Sequence, residues 1–218
     1  LTSLAGVGVA FKTAHALLEK YNKLEFVSEI LPYVAVGTVA DIVPLIGENR
    51  YLVTKGLELI SAGKHYGITR LLESAGYKGQ ITSEQIAFGI APRINASGRL
   101  DTVDAALKVL ISDNKHEIEM AIQSLNEFNK IRQELCQNIF AEADEMVKKE
   151  GNRNPAIVLF NKEWHIGIIG IVASMLVEKY YKPTFLMTYS DETKQFRCSA
   201  RSVEGINLYD TISINSEL

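Results

Sequence analysis

The sequence predicts an α/β protein built as two lobes joined by a long helix, and three stretches carry that prediction. From Lys115 to Glu150 the apolar residues Ile118, Ile122, Leu125, Phe128, Leu135, Ile139, Ala143 and Met146 recur at helical spacing, and neither Pro nor Gly occurs until Gly151. A helix of that length bridges domains or joins a coiled coil, and this stripe keeps no strict heptad. After it come an apolar run at Ala156–Phe160, a helical stretch through Tyr180 and a second apolar run at Thr184–Thr188. That spacing is a βαβ unit, with parallel strands and a right-handed crossover. Before the long helix, the run from Ala35 to Leu45 reads as a buried strand that ends on one carboxylate, Asp41. The expected divisions are residues 1–112, 113–150 and 151–218.

Taken in order, Leu4–Tyr21 has the pattern of a helix, with small residues Ala5, Gly6, Gly8 and Ala10 near its start that let another backbone approach. His15 falls inside that pattern as a packing or surface histidine. Phe26–Leu31 is expected to be helical, with Pro32 opening the strand toward Asp41. Gly47–Ile60 forms another helix, closed by Gly63 with Lys64 and His65 as cations near its C-terminal end. A short helix covers Thr69–Ser74. Thr82 and Gln85 have capping-box spacing, so a helix starts at Ser83 and runs to Ile90, where Pro92 ends it. Pro92–Leu100 then reads as a polar loop carrying Arg93, Asn95 and Arg99, and Asp101 as the N-cap of a helix over Val103–Leu110. Gln195–Arg201 alternates as a strand, with Phe196, Cys198 and Ala200 on one face and Arg197, Ser199 and Arg201 on the other. A last helix begins near Asn207.

Composition narrows the function classes. The 218 residues are 47% hydrophobic and 22% charged, in the range of ordinary globular proteins, and long enough for a sizeable core. The formal net charge of −3 sets up no global basic field, although an acidic protein can still carry a basic groove. Cys136 and Cys198 have neither CxxC nor zinc spacing. There is no signal peptide at the start and no apolar run of membrane length, so a cytoplasmic protein without a membrane partner is expected.

On the residues alone, the candidate site groups each have an ordinary reading. Asp41 is a ligand at a strand end, a helix cap or a satisfied carboxylate, since burying a lone carboxylate costs several kcal/mol unless it is paired. Arg93 and Arg99 belong to a solvated loop. His165 caps a turn, or helps to place a phosphate at a helix N-terminus whose first turn holds Gly167 and Gly170. The Arg197, Ser199 and Arg201 face is solvated or anion-binding, the arginine fork suiting phosphate. Trp164 is a core residue or a base-stacking platform.

The order of four motifs adds a resemblance. Gly37-Thr-Val-Ala-Asp41 with Pro44-Leu45 resembles the fourth metal-binding motif of the DHH phosphoesterases, on their single-strand exonuclease branch. Leu4-Ala-Gly-Val-Gly-Val-Ala-Phe-Lys12 is similar to the segment that follows the paired histidines of that family. Pro92-Arg-Ile-Asn-Ala-Ser-Gly-Arg-Leu100 matches a further signature residue for residue. Trp164-His-Ile-Gly-Ile-Ile-Gly-Ile-Val-Ala-Ser174 and Cys198-Ser-Ala-Arg-Ser202 resemble elements of the DHH-associated domain, with Cys198 in place of a Gly and expected to point into the core.

The resemblance implies the C-terminal part of a DHH catalytic domain, a connecting helix and a partial DHH-associated substrate-binding domain. It implies hydrolysis of single-stranded DNA from the five-prime end, in DNA repair and recombination, with manganese or magnesium. Asp41 would be the catalytic metal ligand. His165, Ser199 and Arg201 would contact the terminal nucleotide and its phosphate, and Arg93, Asn95 and Arg99 would lie in the cleft between lobes. A single-strand-binding protein and a helicase are the implied partners. The family's Asp-x-Asp pair, its further Asp, its His-His pair and its Gly-Gly-His element have no counterpart here. A central fragment, inactive alone, is therefore expected, since two-metal hydrolysis needs both ions clamped. Two alternatives stand beside this reading: a DHH phosphodiesterase of oligonucleotides or cyclic dinucleotides, and a non-catalytic DNA-binding scaffold.

Overall fold

The computed structural model describes residues 3–100, 102–149, 151 and 154–214. The chain divides into two compact units, Leu1–Asn129 and Lys130–Leu218. Among the described residues the first unit is helical throughout. Its elements are α1 (Gly6–Lys20), a 3-10 turn at Leu24–Phe26, α2 (Val27–Ala40), α3 (Gly47–Ser61), α4 (Tyr66–Ser74), α5 (Ser83–Gln85), a π-helical turn at Ile86–Ile90, α6 (Ala91–Leu100) and α7 (Asp104–Ile111). The long helix α8 (Lys115–Lys149) follows, and the division between units falls inside it. The second unit adds β1 (Ile157–Phe160), α9 (Ile166–Tyr180), β2 (Thr184–Ser190), β3 (Gln195–Arg201) and α10 (Leu208–Ile214). The whole is helix-rich mixed α/β.

The expected strand into Asp41 is a helix. Leu31, Pro32, Val34, Ala35, Val36, Thr38 and Val39 are all buried on α2, so this is a helix apolar on nearly every side, and burial overrides its β-branched content. Pro32 lies inside it at the cost of one i→i−4 hydrogen bond. Close approach explains the partner helix. A Cβ on Gly56 of α3 would lie 2.5 Å from both the Ala35 Cβ and the Leu31 carbonyl oxygen. Around α2 gather Ile60, Ile68, Leu71, Ile86, Ile90 and Val109, joined by Ile118, Ile122 and Leu125 from α8.

Two further expectations change. Pro92 does not end a helix, because the preceding turn is π-helical and α6 continues through the segment expected to be a loop. His65 is not a cation closing α3. It is the N-cap of α4: its Nδ1 accepts from the Ile68 N–H at 3.1 Å, while Nε2 bonds the Leu110 carbonyl oxygen at 3.0 Å. Burial lowers its pKa from the ordinary 6.5, with the backbone bond to Leu110 opposing in part. The capping box is present, with the Thr82 N–H donating to Gln85 Oε1 at 2.9 Å. Asp101, the expected N-cap of the next helix, lies outside the described residues, and Val103 precedes α7.

In the second unit the sheet order is β1-β2-β3, with β1 parallel to β2 and β3 antiparallel to β2. Ile157, Leu159 and Leu186 are buried on one face, and α9 contributes Ile168, Ile169, Val172 and Leu176. The other face carries an aromatic row in which the Phe196 ring lies 5.5 Å from Phe160 and 5.2 Å from Tyr189. Cys198 is exposed on that side and does not enter the core. On α8, Asp144 accepts from Lys179 Nζ (2.5 Å), the Tyr180 hydroxyl (2.7 Å) and Lys148 Nζ (2.7 Å). These bonds tie the end of α8 to α9, hold the Asp144 carboxyl well below the usual carboxylate range, and push the Tyr180 hydroxyl up to about 12.

Candidate nucleic-acid interface

Asp41 is exposed at the C-cap of α2, where its N–H reaches the Gly37 carbonyl at 3.0 Å. It is a helix-end carboxylate and not a buried strand-end one. The position still suits a cation, because the last carbonyls of a helix carry the negative end of its dipole. The next residue, Ile42, sits at φ 55°, a left-handed conformation that a β-branched side chain rarely adopts, and it is 89% exposed. Among the described residues no group of three or more His, Cys, Asp or Glu side chains is placed to hold a metal ion. Asp41 thus brings one carboxylate, which does not suffice for the two cations of the expected chemistry.

Helix α6 presents the three residues of the Pro92–Leu100 motif in two directions. Asn95 and Arg99, four apart, share an exposed face. Arg93 turns inward and is half-buried: its Nε donates to Asn126 Oδ1 and one terminal nitrogen to the Gly89 carbonyl, both at 2.7 Å. Gly89 lies in the π-helical turn, where the Tyr77 ring comes so close that a Cβ would meet it at 2.7 Å. Asn126 and Tyr77 carry no motif, and nothing in the sequence singles them out.

In the second unit His165 is the N-cap of α9, its Nδ1 accepting from the Gly167 N–H at 3.1 Å. With Nδ1 engaged as an acceptor, the other ring nitrogen, Nε2, is the one turned away to donate. Five residues on, a Cβ at Gly170 would lie 3.3 Å from both the Ser199 hydroxyl and the Arg201 terminal nitrogen. Ser199 and Arg201 therefore converge on the face of β3 toward α9, and His165 caps the same helix roughly 7–8 Å along its axis. Arg201 is exposed and donates once, to its neighbour's Ala200 carbonyl at 2.8 Å. Trp164 is not a stacking platform. It is buried, and its indole N–H donates to Glu142 Oε2 at 2.8 Å, while Asn161 donates to the other oxygen at 2.6 Å.

No family model matches the chain. Its sequence is 40% identical over 211 residues to the single-stranded-DNA-specific exonuclease RecJ of Bacillus subtilis, covering 96% of this chain and 26% of that protein. The RecJ of Thermus thermophilus is 37% identical over 205 residues, covering 92% of this chain and 29% of that protein. Among solved structures, the Thermus thermophilus RecJ in complex with Mn2+ aligns at a TM-score of 0.85 and 35% identity, over 98% of this chain and 31% of the other. An exonuclease RecJ bound to manganese aligns at 0.82 and 36% identity, over 96% of this chain and 51% of the other. The chain spans about a quarter to two fifths of the length of such curated relatives. In sequence and in fold alike, over 96% of its length, the chain is similar to a segment of the RecJ single-stranded-DNA-specific exonucleases.

Proposed function

We propose that the chain is part of a metal-dependent exodeoxyribonuclease that degrades single-stranded DNA from its five-prime end, in DNA repair and recombination. The observation that carries this reading is the convergence of Ser199 and Arg201 over Gly170, on the helix that His165 caps. An exonuclease that starts at a phosphorylated end needs a fixed anion site, and a strand packed on a helix is a rigid base for one. Arg201 offers a bidentate, charge-assisted pair to the terminal phosphate and Ser199 one neutral hydrogen bond. His165 Nε2–H donates from the helix end. In the first unit, Arg93, Asn95 and Arg99 bind the strand backbone, and Asp41 contributes one ligand to cations whose other ligands lie outside this chain.

Manganese or magnesium would supply an activated water, with Asp41 as one of the residues that would hold the ion. The described residues bind and orient the strand. The shared description of the relatives as single-stranded-DNA-specific favours this reading over a phosphodiesterase of cyclic dinucleotides or a non-catalytic scaffold. A single-strand-binding protein and a helicase as partners, and a cytoplasmic location, belong to the same proposal. No helix among the described residues is long and apolar enough to cross a membrane.

The test is Arg201→Ala in an enzyme that carries this chain together with a complete metal site. Use of five-prime-phosphorylated strands should fall about ten- to a hundred-fold, the worth of one hydrogen bond to a charged group, with little change in melting midpoint. Equal losses on phosphorylated and hydroxyl-ended strands would make Arg201 a general backbone contact and remove the end-reading site.

A further inference from the structure

Arg93 is a cation held by neutral groups. A guanidinium has five N–H donors, and here one goes to the Asn126 side-chain oxygen and one to the Gly89 carbonyl, both at 2.7 Å. Among the described residues no carboxylate lies within ion-pair distance of it. Burial lowers its pKa, and the Tyr77 hydroxyl is the one neighbour opposing that. A half-buried charge without a counter-ion is costly, and the structure meets that cost with fixed dipoles alone. Three N–H groups stay available to an anion.

Asn126 is itself oriented. Its amide nitrogen donates to the Ser74 hydroxyl at 3.2 Å, and that hydroxyl donates to the Leu71 carbonyl at 2.8 Å. With one amide hydrogen given to Ser74, the Asn126 oxygen is turned toward Arg93. The relay runs from α4 through α8 to α6, all within the first unit.

We propose that Asn126 is a positioning residue: it fixes the Arg93 guanidinium toward a DNA strand phosphate while leaving its positive charge uncompensated. This rests on the reading of Arg93 as a strand contact and adds to it. The amide is the chemical point. A carboxylate at 126 would hold Arg93 at least as firmly, by a charge-assisted pair, but would neutralise it and repel the phosphate. An alanine would leave the charge and lose the aim.

The experiment compares this chain with its Arg93→Ala, Asn126→Asp and Asn126→Ala variants. Binding of a fluorescein-labelled, five-prime-phosphorylated oligothymidylate is followed by anisotropy across a potassium chloride series, with the melting midpoint of each chain measured alongside. Asn126→Asp, which loses the amide bond to Ser74 but gains a charge-assisted pair with Arg93, should bind roughly ten-fold more weakly and lose about 0.7 from the salt slope, the share of one single-strand phosphate contact. Arg93→Ala should show the same loss of affinity and slope. Asn126→Ala should weaken binding while keeping the slope. If Arg93→Ala weakens binding but Asn126→Asp matches the unsubstituted chain, the positioning role is wrong and the strand contact stands. If Arg93→Ala binds normally, or the unsubstituted chain does not bind, the strand contact itself fails and takes this inference with it.

Discussion

At the scale of single residues, a histidine outside every motif ties part of the first unit's stability to pH. His65 closes two bonds in the first unit: Nδ1 accepts from the first turn of α4, and Nε2–H donates to the last turn of α7 at Leu110. Tyr33 donates to the same carbonyl at 2.9 Å, with its ring edge-on to His65 at 4.8 Å. Burial disfavours the charged ring, which is why its pKa is lowered, and protonation would also remove the Nδ1 acceptor. A base whose folded pKa lies below its unfolded value stabilises fully above the unfolded value, and that contribution is lost as pH falls through the folded pKa. The melting midpoint should therefore drop as pH falls below about 6.5, and His65→Asn, which keeps a cap acceptor, should flatten that drop. A midpoint equally steep in the variant would assign the acid sensitivity elsewhere. His65 also marks a limit of sequence reading, since Lys64-His65 after a glycine suits the end of one helix as readily as the start of the next. Strand alternation was the firmer guide, and it placed Ser199 and Arg201 on one face, where the structure has them beside Gly170. Asn126 had no such signal, because a polar residue in mid-helix takes its meaning from a partner 33 positions away.

At the scale of elements, length and period made the long helix and the βαβ unit legible, and local propensity misled on α2 and α6. Val34, Val36, Thr38 and Val39 suggest a strand when read as neighbours, yet they sit inside a helix packed on several sides. Pro92 suggests a break unless the π-helical turn before it is known. The spacing of these helices is set by glycines, and that is testable. A Cβ on Gly67 in α4 would lie 1.8 Å from the Val109 backbone carbonyl oxygen of α7, where no side-chain rotation gives relief. Gly98, in α6, has ordinary contact, with the Val103 side chain 3.6 Å away. Gly67→Ala should cost roughly 3 kcal/mol, the upper end of overpacking, and Gly98→Ala should be neutral or stabilising by up to about 1 kcal/mol from helix propensity. Urea titration of both variants decides it. Equal, small effects would mean that α4 and α7 are free to move apart.

At the scale of the whole molecule, the groups proposed to bind a strand are better formed than the metal chemistry proposed beside them. Its candidate anion groups stand on formed elements: Arg93 is clamped by Asn126 and Gly89, His165 is committed to the N-terminus of α9, and Ser199 with Arg201 lies over Gly170. Its candidate metal chemistry rests on Asp41, and among the described residues no three potential ligands are grouped to hold an ion. In-line hydrolysis by two metals needs both the attacking and the leaving oxygen clamped, and one exposed carboxylate cannot fix two divalent cations against the pull of their own hydration. Strand binding and strand cleavage should therefore separate. The purified chain should bind single strands through the arginines yet leave them intact, with manganese or without it. Incubating it with end-labelled, five-prime-phosphorylated single strands and manganese, with Asp41→Ala alongside, measures this. No shortening above the blank is the expected result for either chain. Shortening abolished by Asp41→Ala would show a working metal site assembled around Asp41 from residues of this chain. Shortening that survives Asp41→Ala would remove Asp41 from the chemistry as well.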